Sequence, residues 1–446
     1  MPAVQTLKVL VVWTVLVLVL NSAAAQEAPS PSDREQAFER VEKALDQDPN
    51  LAPETKDAFR ELLQVLRGES GDAPSDPAKT HPAPHEAVDE PGSEAPLVSG
   101  SSLTDKLDIR GLAYLRYSYE LEDSSLPGLN SSTDDRNEFD VDRIYLTFDW
   151  QLWDKAKVSY TLEGGEFRDE SGQFDLTTKA FFLEIRDLLY PSTYLWIGQA
   201  DLPWVPYEEG LWGYRYQGTV FPDRMGYMTS TDLGVGFGGD IPKDYGSWQA
   251  SIVNGEGWNK NEIGKHKNVH GRLTLNPLAG REGPMRNFFL TGFGAVGKYD
   301  DVLVGPDDRE RFIGQIGYKS PQRWTLVSEY FEARDAAEKM AVKFPSLEQR
   351  IGRASRAQGF STFGTLNLGV FKDTDFARKW ELMGRWDHLN PDDKISNNDL
   401  DLWIAGVSYR WNRNIQVLLN HEAIDYEKRA LLEDESRIML QALLEF

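Results

Sequence analysis

The glycines of one short segment have the spacing of a nucleotide-binding motif. The segment "GVGFGG" (Gly234–Gly239) matches G-x-G-x-x-G. This motif needs a helix directly after it, because the helix N-terminus binds the phosphates. Here Asp240, Ile241 and Pro242 lead into a turn instead. We therefore interpret the glycines as part of a strand that bends, or that another segment approaches closely.

Other side chains that could support catalysis or bind metals are scattered. The chain has no cysteine, which excludes disulfides, thiolate catalysis and thiolate metal sites. No pair of the six histidines has metal-ligand spacing within a predicted helix, and His81 and His85 lie in a segment with the composition of a solvated linker. No serine lies in an elbow motif. We predict no catalytic residue, no metal site and no cofactor, and we do not expect an enzyme.

The charged residues point to a different chemistry. The chain of 446 residues has 48 basic and 71 acidic side chains and a net charge of −23, which argues against binding nucleic acid. Arginines nevertheless recur on one predicted strand face, together with acids, at Arg110, Arg116, Arg143, Arg186, Arg272, Arg385, Arg410, Arg437, Asp149, Glu163, Glu184, Glu381, Asp387 and Glu422. Arginine suits binding of oxyanions and equally suits pairing with these acids, and the sequence leaves both roles open.

One long connection, residues 201–230, differs from a solvent-facing loop. It is rich in aromatic residues and carries Asp201, Glu208, Glu209, Arg215, Asp223 and Arg224. Folding into the lumen of a barrel would explain this apolar content. There it would restrict the size of a channel and place charges in a space of lowered dielectric, where each charge matters more. The alternative is an outward loop that packs on a neighbouring subunit.

The elements that position these residues are strands. From Leu107 the sequence alternates with a period of two, so that "RIYLTFDWQLW" (Arg143–Trp153) has Ile, Leu, Phe and Trp on one face and polar residues on the other. We count sixteen such runs. Compact connections lie near 153–155, 188–193, 240–246, 319–322, 371–378 and 411–413. Because successive connections alternate between the two ends of a barrel, the connection at 276–286 must lie at the same end as these. Long polar connections lie at 122–138, 164–174, 201–230, 254–267, 298–310, 332–358, 389–401 and 423–435.

This alternation of short turns and long loops is typical of an all-β protein of the outer-membrane barrel class. Seven tryptophans lie beside compact connections, where amphipathic rings prefer the membrane boundary. They are Trp150, Trp153, Trp196, Trp248, Trp324, Trp380 and Trp411. We predict a 16-stranded antiparallel transmembrane β-barrel over residues 104–446. Its last strand would present an apolar row to lipid, ending at Phe446, an aromatic of the kind that outer-membrane barrels present to their assembly machinery.

The residues before the barrel divide into three predicted segments. Residues 1–25 have a basic start, the apolar run "VLVVWTVLVLVL" and "AAA", as in a signal peptide. Residues 26–67 carry two short amphipathic stripes, which predict a periplasmic α-helical hairpin or coiled-coil segment. Residues 68–103, rich in Pro, Ala, Gly, Ser and acids, predict a disordered linker.

Several segments together resemble the phosphate-selective porin O and P family of outer membranes. They are "WIGQADLPW" (Trp196–Trp204), "TDLGVGFGGD" (Thr231–Asp240), "SIVNGEGWN" (Ser251–Asn259), "WELMGRWDHLN" (Trp380–Asn390), "GVSYRWNRNIQVLLNHE" (Gly406–Glu422) and the final strand with Gln441 and Phe446. The resemblance implies a homotrimer of sixteen-stranded barrels, with the third outer loop folded inward. One feature departs from the family, which commonly places a lysine before the proline where this chain has Asp201-Leu202-Pro203.

The sequence thus predicts an outer-membrane porin. Small hydrophilic solutes, including anions such as phosphate, would diffuse passively through a water-filled channel. The expected partners are outer-membrane lipids with lipopolysaccharide, the barrel assembly machinery and two further copies of the chain. The alternative is a structural anchor, in which the barrel tethers the N-terminal helices to a cell-wall or periplasmic partner.

Overall fold

A computed structural model provides the structure of the protein. It describes residues 106–122, 137–168, 174–188, 190–260, 262, 265–300, 302–303, 305, 307–320 and 323–446. The predicted signal peptide, helical segment and linker lie outside these residues.

Sixteen strands form one closed antiparallel barrel, which confirms the predicted strand number and fold class. Each strand pairs with its neighbours in sequence, and β1 pairs with β16 to close the ring, with Ala113 opposite Leu444. The strands are β1 Leu107–Glu122, β2 Asn137–Trp153, β3 Ala156–Arg168, β4 Phe174–Arg186, β5 Thr193–Asp201, β6 Thr231–Ile241, β7 Gly246–Val253, β8 Asn268–Leu275, β9 Phe288–Lys298, β10 Asp308–Ser320, β11 Trp324–Ala336, β12 Ala354–Asn367, β13 Trp380–Asn390, β14 Leu400–Arg410, β15 Ile415–Tyr426 and β16 Glu435–Glu445.

Helices are confined to the connections. The α-helices of the described residues are α1 Val205–Trp212, α2 Phe221–Arg224, α3 Ala337–Met340 and α4 Asp375–Arg378. Short 3-10 helices occupy Pro242–Asp244, Pro284–Asn287, Pro345–Arg350 and Leu368–Val370. None of the helices in this part of the chain is long and apolar enough to cross a membrane.

The two faces of the barrel wall differ in polarity. Alternate residues point outward, and these are large, apolar and well exposed, as at Ile197, Phe312 and Leu419, which are 52%, 55% and 50% exposed. Residues of the opposite parity point inward and include most of the charged strand residues. A sheet with an exposed apolar exterior and a polar interior reverses the arrangement of a soluble barrel, whose exterior is polar.

The connections divide between the two ends of the barrel. The end that carries Leu107 and Phe446, here called the turn end, also carries the shortest connections, such as Asp154–Lys155, together with two longer ones, 276–287 and 368–379. The opposite end carries the longest ones, including residues 202–230. One expected long connection, 164–174, is wrong, because β3 continues to Arg168 and β4 begins at Phe174.

The glycines of "GVGFGG" make room for two aromatic rings on the inner face of the wall. Gly236 lies opposite Trp196 and Gly238 lies opposite Tyr194. A Cβ at Gly236 would come within 2.2 Å of the Trp196 ring, and a Cβ at Gly238 within 2.5 Å of the Tyr194 hydroxyl. These glycines therefore allow the close approach that their position in a strand predicts. Trp196 is buried inside the barrel, unlike the exposed Trp153 and Trp411.

The C-terminal residue completes the closure of the barrel. Phe446 exchanges two backbone hydrogen bonds with Gly111: the Gly111 N–H donates to Phe446 O at 2.6 Å, and the Phe446 N–H donates to Gly111 O at 2.9 Å. The Phe446 ring covers Gly111, because a Cβ at that glycine would lie 2.1 Å from the ring. Phe446 continues the outward row of Leu440 and Leu444, as the alternation predicts.

Candidate functional site

The candidate site is formed by residues 202–230, which connect β5 to β6 and which we call the inner loop. Its first part is helix α1, which has Pro206 in its first turn and ends at Gly213 in the left-handed conformation, φ 74°. A glycine adopts this conformation without steric cost, and it allows the chain to reverse direction after the helix. The second part contains α2, with Pro222 in its first turn.

The inner loop packs against the inner face of β9–β13 through aromatic side chains. Trp204 contacts Phe293, with ring centroids 5.4 Å apart, and Trp212 contacts Phe363 at 5.3 Å. Phe221 contacts Phe331 at 5.7 Å. All of these side chains are buried. A buried aromatic side chain removes about 200 Å² from water, which is worth up to about 5 kcal/mol at about 25 cal/mol per Å², so this contact is strongly stabilising.

Polar contacts fix the loop in register with the wall. The Tyr214 hydroxyl donates to Glu381 Oε1 at 2.7 Å, and Gln217 Nε2 donates to Glu422 Oε2 at 2.8 Å. Four wall side chains donate to loop carbonyl oxygens: Lys319 to Gly210 at 2.6 Å, Gln441 to Tyr216 at 2.6 Å, Arg385 to Thr219 at 2.8 Å and Arg311 to Tyr227 at 2.8 Å. Anchors distributed along the loop's whole length make it a fixed part of the barrel interior.

Glu422 on β15 is the most connected of these anchors. Its carboxylate is buried and accepts hydrogen bonds from Arg224 Nη2 on the loop and from Arg437 Nη2 on β16, each at 2.6 Å. Gln217 binds the second oxygen. One carboxylate thus bridges two arginines and holds the loop at two points, which stabilises α2 against the wall.

The opposite side of the barrel interior remains open. A cavity of about 780 Å³ lies between the inner loop and the inner face of β1–β5. Tyr145, Thr147 and Thr161 contribute to its wall, and the loop contributes Glu209 and Arg215. The cavity also reaches the turn end, where its lining includes Asn414 and Glu445. The loop therefore restricts the free cross-section to one side of the lumen.

Charges of both signs alternate around this cavity. Asp149 binds Arg110 at 2.5 Å and Lys157 at 3.3 Å. Glu163 pairs with Arg143 and, at 3.2 Å, with Lys179. These ion pairs hold the wall beside the cavity rigid.

On the loop side, Glu209 and Arg215 form an ion pair, with Arg215 Nε and Glu209 Oε1 2.5 Å apart. Both side chains are about one-fifth exposed. Burial raises the pKa of Glu209 to about 7, although the Arg215 guanidinium opposes the shift. The charge at this point of the cavity wall therefore depends on pH near neutrality.

The structure separates the predicted wall arginines into two groups. Arg110, near the turn end, lines the cavity, and Arg143 and Arg116 point inward from the neighbouring wall, where Arg116 pairs with Asp142 at 3.0 Å. Arg186 is exposed beside Glu184, and Arg410 donates to Gln416 at 2.7 Å. By contrast, Arg272 and Arg385 are buried beneath the inner loop. Arg272 lies over the Tyr207 ring at 4.1 Å, so both arginines support the loop.

The predicted loop residues also have different positions. Asp201 is the last residue of β5 and lines the cavity, as do Glu209 and Arg215. Asp223 accepts a hydrogen bond from Thr219, and Arg224 binds Glu422, so these two hold the loop together and to the wall. Glu208 is buried against the wall.

Two lysines of the cavity wall were not among the predicted residues. Lys157 has the inward parity of its strand and could have been found from the alternation. Lys179 has the outward parity, but β3 and β4 shift register between Thr161 and Leu162, which leaves Lys179 without an opposite residue. The bulge turns Lys179 toward Glu163, and no local sequence signal predicts it.

A group of three carboxylates was considered as a metal site. One oxygen each of Glu256, Glu262 and Asp300 lies within 4.8 Å of the others. Lys267 binds Glu262 at 2.9 Å and His266 binds Asp300 at 2.7 Å, so two of the three already have partners. We do not assign a metal to this cluster.

Comparison with solved structures identifies the fold. No protein-family model and no curated protein sequence matches the chain. Solved porins do match in structure. OprB of Pseudomonas putida has a TM-score of 0.53 at 9% identity, with 77% of this chain and 95% of that chain covered. OmpF of Salmonella typhi, in complex with daunomycin, has a TM-score of 0.52 at 12% identity, with 76% and 97% covered. The anion-selective porin of Comamonas acidovorans has 0.50 at 10% identity, with 76% and 99% covered. The chain therefore has a porin fold.

Proposed function

We propose that this protein is an outer-membrane porin that allows small hydrophilic solutes to diffuse passively through its barrel. One observation carries the proposal. The inner loop packs on the inner face of β9–β13, while a cavity of about 780 Å³, lined in part by charged side chains, stays open along β1–β5. A barrel whose only task was anchoring would not need an interior of this kind, whereas a size-limiting channel does.

The exterior of the barrel supports a membrane location. Its exposed apolar residues recur around the ring, and lipid is the environment in which such a surface is stable. The proposed location is the outer membrane, reached by a signal peptide over residues 1–25. The further proposals of a homotrimer, of contacts with lipopolysaccharide and of assembly through Phe446 rest on the resemblance to the phosphate-selective porins.

The charges of the cavity favour a broad solute range with a modest preference for anions. Arg110, Lys157, Lys179 and Arg215 line it, and so do Glu184, Asp201, Glu209 and Glu445. These two sets balance when all are ionised, but protonation of Glu209 near neutral pH leaves a positive excess. Phosphate specificity lacks support from the loop, because Asp201 occupies the region where the resembled family has its lysine. We propose no catalytic activity.

The test is conductance of the purified full-length protein in planar bilayers. We expect ion-conducting steps, a reversal potential that indicates weak anion preference, and a size cut-off when sugars of increasing radius enter liposomes. Arg215→Gln should shift the reversal potential toward cations and Glu209→Gln toward anions. A folded barrel that conducts no ions would refute the channel.

Deletion of residues 26–103 distinguishes the porin from the alternative function, a structural anchor for the N-terminal helices. A porin should keep its conductance after this deletion. An anchor would lose attachment of the outer membrane to its partner in intact cells, measured as release of outer-membrane vesicles.

A further inference from the structure

Helix α1 carries a second glutamate, Glu208, which faces the barrel wall instead of the cavity. Glu208 is 1% exposed, and Glu329 on β11 is 3% exposed. Their carboxyl groups lie within hydrogen-bonding reach of each other. Two acidic side chains thus meet at the buried contact between the inner loop and the wall.

Each carboxyl group has one oxygen with a donor and one without. Trp204 Nε1 donates to Glu208 Oε2 at 2.7 Å, and Gln315 Nε2 donates to Glu329 Oε2 at 3.3 Å. Within the described residues, Oε1 of Glu208 and Oε1 of Glu329 have no other hydrogen-bond partner. A buried oxygen without a donor is costly, and a proton between the two carboxyl groups would satisfy both.

The surrounding charges cannot neutralise two carboxylates. The nearby cation is Arg385 on β13, and its guanidinium is already engaged with Asp387, with Nη2 and Oδ2 2.5 Å apart. Asp387 also accepts from Ser361 on β12 at 2.7 Å. From the loop, the Tyr207 hydroxyl donates to Gln315 at 3.4 Å. Ionising both glutamates would therefore add two adjacent negative charges to a buried site that holds one balanced ion pair.

We propose that Glu208 and Glu329 form a carboxylic acid–carboxylate pair, which shares one proton and positions helix α1 of the inner loop on the barrel wall. The inference goes beyond the channel function and rests on it only for the conductance test below. Burial raises the pKa of Glu208 to about 7, which agrees with protonation of the pair at neutral pH. The stabilisation is fully present at acidic pH and is lost as pH rises through the raised pKa, because the folded state binds a proton that the unfolded chain releases.

The direct test is infrared spectroscopy at pH 7 of the folded full-length protein in detergent, with every protein carrying Glu209→Gln so that the cavity glutamate adds no band. We expect the carbonyl stretch of a buried protonated carboxyl group in this protein when it has no further substitution. Glu208→Gln and Glu329→Gln should each lose it, because the amide of glutamine donates to the remaining carboxylate and removes the need for the proton. The exposed turn residue Glu282 gives the matched control, Glu282→Gln, which should keep the band. A Glu209→Gln protein without the band, or added Glu208 or Glu329 substitutions that keep it, would overturn the proposal.

The second test is the pH dependence of conductance, measured in a Glu209→Gln background so that the cavity glutamate does not titrate. Conductance should be steady at pH 5–6 and become larger and noisier toward pH 9, as α1 leaves the wall. The added Glu208→Gln substitution should keep the conductance steady up to pH 9. If the added substitution left the pH response unchanged, the proposed pair would be refuted and the channel function would stand. If no conductance appeared at any pH, the channel function would be refuted, and the infrared result would decide whether the pair exists.

Discussion

The buried carboxylate of Glu422 should be the single side chain whose removal most disturbs the inner loop. In Glu422→Ala the loop loses its contacts through Gln217 and Arg224. The substitution also leaves Arg224 and Arg437 as partly buried like charges without their common anion. Breaking a buried ion pair by removing one partner costs about 3–5 kcal/mol. The equilibrium between the seated and the displaced loop should therefore shift by roughly two to four orders of magnitude.

The assay is single-channel recording combined with limited trypsin digestion of the folded barrel. We expect a larger and noisier conductance and cleavage after Arg224, which in the wild type is protected because it is mostly covered and bound to Glu422. Asp425→Ala, an exposed carboxylate on the same strand, is the matched control and should behave as the wild type. A Glu422→Ala channel with wild-type conductance and an uncut loop would show that the aromatic contacts alone hold the loop, contrary to this reasoning.

Three further predictions concern the cavity and the wall. Because the pKa of Glu209 is raised to about 7, lowering pH from 8 to 6 protonates it and should strengthen anion preference in reversal-potential measurements, whereas Glu209→Gln should show a smaller change. Gly236→Val places side-chain atoms where the Trp196 ring lies and should lower the folding stability by about 1–3 kcal/mol or prevent folding. The measurement is loss of the heat-modifiable band of the folded barrel on gels. Gly271→Val, whose Cβ meets no atom within 4 Å, is the control and should fold normally. Deleting Phe446 removes two closing backbone hydrogen bonds and should reduce the assembled fraction in the same gel assay.

The chain's local patterns determined the architecture. Alternation of apolar and polar residues is a property of each strand by itself, so sixteen strands and the inward parity of most charges could be counted from the sequence. The aromatic content of residues 201–230 likewise indicated a loop that packs against something other than water. These signals are local because burial on one face imposes a period of two wherever the strand lies.

The tertiary structure decided which residues meet. The alternation predicted that the wall arginines lie on the inner face of the barrel. It could not show which part of that face the inner loop would cover. Contacts between distant segments, such as Trp212 with Phe363, put Arg385 beneath the loop and leave Arg110 beside open space. The bulge that turns Lys179 inward and the meeting of Glu208 with Glu329 are of the same kind. Their positions depend on register and packing between segments far apart in the chain, which no short-range period encodes.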